Sequence, residues 1–176
     1  MDLYVLRHAS IGIRHDSSDV KRTLDQEGKQ LCMLVGSYLN AMNVRFDLIA
    51  SSPFTRARQT ASLVGTEVRY ERNIQVSEAL SPGATIAVLQ QYVDSFDRYQ
   101  NVLIVGHNPN LAQFLGSLIG TPGRASIRMR KGTIARVDCT RRPGVLNWLV
   151  DPHVLHDVYT DGSMYNRRSE TASSVF

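Results

Sequence analysis

Three short apolar runs, Leu3–Leu6, Phe46–Ala50 and Val102–Val105, are separated by stretches whose apolar residues recur at helical intervals. A brief continuous apolar run is the pattern of a strand covered on both faces, and intervening helices supply the cover. Between residues 24 and 42, Leu31, Leu34, Val35, Tyr38, Leu39 and Met42 fall on one stripe of a helix. A second helix is predicted from Thr55 to about Val68. Ile86, Leu89, Val93 and Phe96 mark a third, and Leu111, Phe114, Leu115, Leu118 and Ile119 a fourth. Further extended stretches are predicted at 74–76, 133–139 and 145–150. This alternation predicts an α/β fold, a three-layer α/β/α sandwich around a mostly parallel central sheet.

Local capping chemistry refines the boundaries. Thr23 and Asp25 are both suited to cap the first helix. Ser52-Pro53 and Asn108-Pro109 each read as a capping side chain followed by a proline in the first turn, and Gly120 as a helix stop. Cys32 falls beside the buried stripe of the first helix, as core filler.

A chain of 176 residues has the length of one domain. From Asp151 onward the apolar pattern fades, and 162–176 is Ser/Thr-rich with Arg167-Arg168. The expectation is a folded domain over 1–152 and a polar, mobile tail over 153–176. No apolar run approaches the roughly 18 residues of a membrane span. Met1–Val5 enters a strand without a signal-peptide pattern, and Cys32 and Cys139 lie far apart without metal-ligand spacing. A cytoplasmic protein with reduced thiols is expected.

The formal net charge is only +4, but Arg124, Arg128, Arg130, Lys131, Arg136, Arg141 and Arg142 cluster against Asp138 alone. A basic face can recruit nucleic acid. No aromatic residue is interleaved there, and the preferred reading is a solvated edge strand protected by charge.

The chemistry is expected at strand ends, because α/β folds carry their sites there. The first run ends in Arg7-His8. Arginine offers a planar charged fork matched to phosphate oxygens, and histidine a nitrogen able to form a covalent intermediate. Arg14-His15 repeats the dipeptide without a preceding strand and reads as solvated loop. The second run leads into a helix with Arg56 in its first turn, and the third into His107. Helix N-termini at both places favour an anion. Two arginines, two histidines and two such ends suit a phosphate dianion.

Leu-Arg-His-Ala at 6–9, Ser-Ser-Pro-Phe-Thr-Arg-Ala-Arg-Gln-Thr-Ala at 51–61 and Val-Gly-His-Asn-Pro at 105–109 resemble the histidine phosphatase superfamily. The match is nearest to its short, SixA-type phosphohistidine phosphatases. It extends from Met1 to about Pro152 and includes Leu80-Ser81-Pro82-Gly83 and Leu146-Asn147-Trp148-Leu149. The resemblance implies a phosphoglycerate-mutase-like fold, with His8 as the phosphorylated nucleophile and Arg7, Arg56 and His107 binding the phosphoryl group. Asn108 is placed with them at the phosphate, and Arg58 on another helix face is treated as surface. Ala9 stands where glycine is common in the family. Mutase-like members carry a glutamate before the position of Leu80, and Glu78 is the candidate general acid.

A metal-free, cofactor-free phosphatase is the expected activity; His153, His156 and Asp157 are read as tail residues rather than ligands. A phosphohistidine P–N bond is labile and needs less acid help than an alkyl ester. Only about 25 residues separate Arg56 from Pro82, leaving little chain for a lid over a small substrate. Both features favour a histidine displayed on a phosphotransfer-type signalling protein. The alternatives are a small-molecule phosphate-ester phosphatase on the same scaffold and a non-catalytic phosphate-binding module. Neither a membrane nor nucleic acid is expected as a partner.

Overall fold

The computed structural model describes residues 1–12, 18–120 and 126–155. Its elements follow the order β1 (Asp2–Arg7), α1 (Gln26–Ala41), β2 (Leu48–Ser51), α2 (Thr55–Glu67), β3 (Gln75–Val76), α3 (Ile86–Asp94), β4 (Asn101–Gly106), α4 (Asn110–Ile119), β5 (Ile134–Asp138) and β6 (Val145–Val150). Arg14-His15, Arg124, His156, Asp157 and the segment 162–176 lie outside the described residues.

Alternate side chains of the central strands enter two different cores, as period-two geometry requires of strands covered on both faces. Leu3, Val5, Val102 and Ile104 pack with Leu89 and Val93 of α3 and Leu111, Phe114 and Leu115 of α4. Tyr4, Leu6, Leu103 and Val105 pack with Leu31, Val35 and Leu39 of α1 and Ala57, Ala61 and Val64 of α2. The three-layer α/β/α arrangement is therefore present, one helix pair on each face. Both cysteines are free, Cys32 within the second core.

The strand order is β3-β2-β4-β1-β5-β6. β3, β2, β4 and β1 run parallel, whereas β5 is antiparallel to β1 and β6 antiparallel to β5. The sheet is mixed, which corrects the expectation of a mostly parallel one. The cause lies in the connections. Gly132 N donates to the carbonyls of Arg7 and His8, at 3.1 and 3.2 Å, so β5 starts beside the end of β1 and must run back along it. The link from Asp138 to Val145 is too short for a helical crossover, which leaves β6 antiparallel as well.

β5 is an interior strand, so the basic segment does not follow an edge as expected. Three of its charges are answered by acids from elsewhere in the chain. Arg136 pairs with Asp2 at 2.6 Å, Arg142 with Asp94 at 2.6 Å, and Arg130 with Asp151 at 3.6 Å. His153, expected in a solvated tail, is half-buried, with Nδ1 2.8 Å from Asp151 Oδ1.

Of the two candidate caps of α1, Asp25 serves: Gly28 N donates to its Oδ1 at 2.6 Å, and Ser10 Oγ donates to Oδ2 at 2.9 Å. A Cβ at Gly28 would collide with the Ser10 carbonyl, so this glycine lets α1 dock against the segment following His8.

Candidate active site

Register aligns three strand ends. Arg7 of β1 lies opposite Gly106 of β4, and Ser51 of β2 opposite Val105 of β4. The backbone carries the alignment one residue further: His8 N donates to Gly106 O at 3.1 Å and Ser52 N to Val105 O at 2.9 Å. His8, Ser52 and His107 therefore emerge side by side at the sheet's C-terminal margin. The His8 and His107 rings stand 5.0 Å apart between centroids, tilted by 55°. Phe54 packs edge-on to His107 at 5.1 Å, and the Arg56 guanidinium lies over its ring at 4.7 Å.

His8 is buried, and its Nδ1 stands 2.9 Å from the carbonyl of Ala9. A carbonyl only accepts, so Nδ1 carries the proton and the Nε2 lone pair is free. Burial pushes the His8 pKa down to about 4, opposed by the Ala9 hydrogen bond and assisted by the charges of Arg56, Arg7 and Lys131. His107 falls to about 3, again chiefly through burial, with His8 and the two arginines adding to the effect. Two neutral imidazoles thus face each other in a positive field, the state in which a histidine nitrogen can attack phosphorus.

Each arginine is anchored through one end. Arg7 Nη1 donates to the Met129 carbonyl at 2.8 Å, and Asn108 Nδ2 donates to the same oxygen at 2.9 Å. Arg56 Nη1 and Nη2 donate to Asp19. The Nε atoms of both arginines, and Nδ1 of His107, are buried without a hydrogen-bond partner among the described residues. Buried donors left unpaired are costly, and oxyanion acceptors would satisfy them.

Two capping expectations are corrected. α2 begins at Thr55, with Phe54 at its cap position. Ser52 Oγ instead accepts from Phe54 N at 3.3 Å and stands 2.8 Å from His107 Nε2. α4 begins at Asn110, and the Asn108 amide is committed to Met129 rather than to a helix end. Glu78 is exposed on a short 3-10 turn, Glu78–Leu80, and accepts from Ser81 Oγ at 2.5 Å. No described hydrogen bond or ion pair joins it to either histidine. Asp19, Ser52, Met129, Thr60 and Lys131 were not visible as site neighbours in the sequence, because long-range packing brings them there. Among the described residues no three His, Cys, Asp or Glu side chains converge as a metal site, and no helix is long and apolar enough to cross a membrane.

The family model for the histidine phosphatase superfamily (branch 1) matches residues 3–81, the span holding Arg7, His8 and Arg56. The chain belongs to the histidine phosphatase superfamily. Its likeness falls on the SixA-type branch. It is 24% identical over 155 residues to phosphohistidine phosphatase SixA of Escherichia coli (strain K12), covering 86% of this chain and 94% of that one. An uncharacterized protein of Picosynechococcus sp. is 32% identical over 119 residues, covering 65% of this chain and 70% of that one. The solved structure of SixA with tungstate superposes with a TM-score of 0.81 at 25% identity, covering 88% of this chain and 99% of that one. A putative alpha-ribazole-5'-P phosphatase of Escherichia coli shares the fold, with a TM-score of 0.71 at 20% identity, covering 86% of this chain and 98% of that one. Arg7, His8, Arg56 and His107, the residues singled out by the sequence resemblance, are gathered at this margin of the sheet.

Proposed function

We propose that this histidine phosphatase removes the phosphoryl group from a phosphohistidine displayed on a phosphotransfer-type signalling protein, through a covalent intermediate on His8. The observation that carries the reading is the Nδ1 contact of His8 to the Ala9 carbonyl at 2.9 Å, which commits that nitrogen's proton and frees Nε2. Nε2 forms a bond to phosphorus as the bond from phosphorus to the leaving nitrogen breaks, the electron pair departing with that nitrogen. The leaving imidazole takes a proton from solvent. Water then attacks phosphorus, the Nε2–P bond returns its electrons to His8, and orthophosphate leaves after losing the excess proton to solvent.

Arg7, Arg56 and His107 are assigned to the phosphoryl oxygens, where fixed positive charge and aimed donors stabilise the transferring group. Asn108, anchored beside Arg7 on Met129, completes that cradle. No step calls for a metal, a cofactor or nucleic acid, and the protein is assigned to the cytoplasm. The likeness to SixA supports the substrate class, and the labile P–N bond supports a site that relies on positioning more than on a strong acid.

A substrate panel tests the reading: a phosphohistidine protein, phosphoserine peptides and sugar phosphates, each assayed with and without EDTA. The phosphohistidine protein should be turned over fastest and EDTA should leave its rate intact. Preference for a sugar phosphate would favour the small-ester alternative, with Glu78 as its acid, and metal-restored activity would contradict the metal-free mechanism.

A further inference from the structure

Asp19 keeps 58% of its side chain exposed, yet it grips a guanidinium that is only 6% exposed. Nη1 of Arg56 donates to the Asp19 backbone carbonyl at 2.6 Å and to Oδ1 at 3.2 Å, while Nη2 donates to Oδ2 at 3.0 Å. The carboxylate is braced from behind by Arg22, whose Nη1 lies 3.6 Å from Oδ1 and whose Nη2 donates to the Gly12 carbonyl at 3.2 Å. Asp19 itself opens a 3-10 turn, Asp19–Lys21, that packs against α2.

A guanidinium has two forked edges, one formed by Nη1 and Nη2 and the other by Nε and Nη2. Asp19 takes the first. The second retains the Nε–H and one Nη2–H, and Nε is buried with no partner among the described residues. We propose that Asp19 is a positioning residue, locking Arg56 by its Nη1–Nη2 end so that the Nε–Nη2 edge meets two phosphoryl oxygens. The inference rests on the assignment of Arg56 to the phosphoryl group.

The rival role for a carboxylate on a phosphate-binding arginine is that of a stand-in which the phosphoryl group displaces. Two features favour the lock. The edge bearing Nε meets no hydrogen-bond acceptor among the described residues. The tightest of the three bonds goes to the backbone carbonyl of Asp19, which cannot leave Arg56 unless the turn unwinds. Burial alone would raise the Asp19 carboxyl. The hydrogen bonds and charge of Arg56, with Arg22 behind, outweigh it and keep the group ionised. A long arginine held in one rotamer spends no binding energy on finding it, and small misplacements of a charged ligand are expensive in rate.

The test is a double-mutant cycle on the full chain with Asp19→Ala, Arg56→Ala and the pair, reading inorganic phosphate affinity by calorimetry together with kcat/KM. The lock predicts that Asp19→Ala weakens phosphate binding and lowers kcat/KM, by roughly 10- to 100-fold in rate. It also predicts that Asp19→Ala adds no further loss once Arg56 is alanine. Tighter phosphate binding in Asp19→Ala would establish the displaced stand-in and overturn the lock. Losses that multiply in the pair would overturn it too, as would an unaffected Asp19→Ala beside a crippled Arg56→Ala. An Arg56→Ala variant with normal phosphate affinity would instead remove the Arg56 assignment itself. Should Asp19→Ala fail to fold, the near-isosteric Asp19→Asn carries the same cycle.

Discussion

Thr60 Oγ1 accepts the Ala9 amide at 3.2 Å and donates to the Arg56 carbonyl at 2.8 Å, so one hydroxyl joins the backbone beside His8 to the helix turn bearing Arg56. Both ends of the link are buried. The spacing between the proposed nucleophile and a proposed phosphoryl ligand is thus set by a side chain that touches neither reacting group.

Thr60→Val keeps the shape and removes the hydroxyl, stranding the Ala9 N–H. Leaving a buried donor unpaired costs about 1–3 kcal/mol, and urea denaturation should register a loss of that order. Turnover should fall as well. Thr60→Ser should retain both properties, and a Val variant as stable as wild type would show that the link holds nothing.

The strands and both histidines were legible because their signals are local. Val102–Val105 announces a doubly covered strand by itself, and His107 follows it by two residues. Ser52 and Asn108 misled for the opposite reason. Each obeys a short-range capping rule, but a distant partner, His107 in one case and the Met129 carbonyl in the other, offers a better bond within the folded chain. Asp19 and Lys131 reach the site only because loops far apart in sequence converge there, which no local pattern encodes. The direction of β5 is likewise decided by where the chain returns after α4.

The pH dependence follows from the buried imidazoles. Only neutral His8 can attack, and its pKa is held near 4 by burial and then by Arg56, Arg7 and Lys131. The acid limb of kcat/KM should therefore lie near pH 4 instead of at the ordinary histidine value of about 6.5. Removing a nearby positive charge eases protonation, so Lys131→Ala should move that limb upward. Stability carries the same sign. Unfolding takes up a proton at His8 as pH falls from about 6.5 toward 4 and at His107 as it falls from about 6.5 toward 3, so folding weakens across those windows, and each contribution levels off below its folded-state value. A limb near 6.5 in the wild type, or a downward shift in Lys131→Ala, would contradict this electrostatic account.

Glu78 separates the two enzymatic readings. On a phosphohistidine substrate, Glu78→Gln should change the rate by less than about tenfold, because the departing imidazole needs little protonation by the enzyme. On an alkyl phosphate the loss should fall within the roughly 10²–10⁴-fold range of general acid catalysis and flatten the alkaline limb of the profile. The comparison requires both substrates on one preparation. A large loss on phosphohistidine would make Glu78 the missing acid and remove the chemical reason for preferring that substrate.

The central claim is the covalent bond to His8, and rapid quenching with a 32P-labelled phosphohistidine protein tests it most directly. The label should be recovered on the peptide containing His8, stable to base and labile to acid, and it should be absent from His8→Ala. That variant should keep its fold, since the residue sits beyond a strand end, and lose turnover. A base-labile label, a label elsewhere, or turnover surviving in His8→Ala would contradict the mechanism.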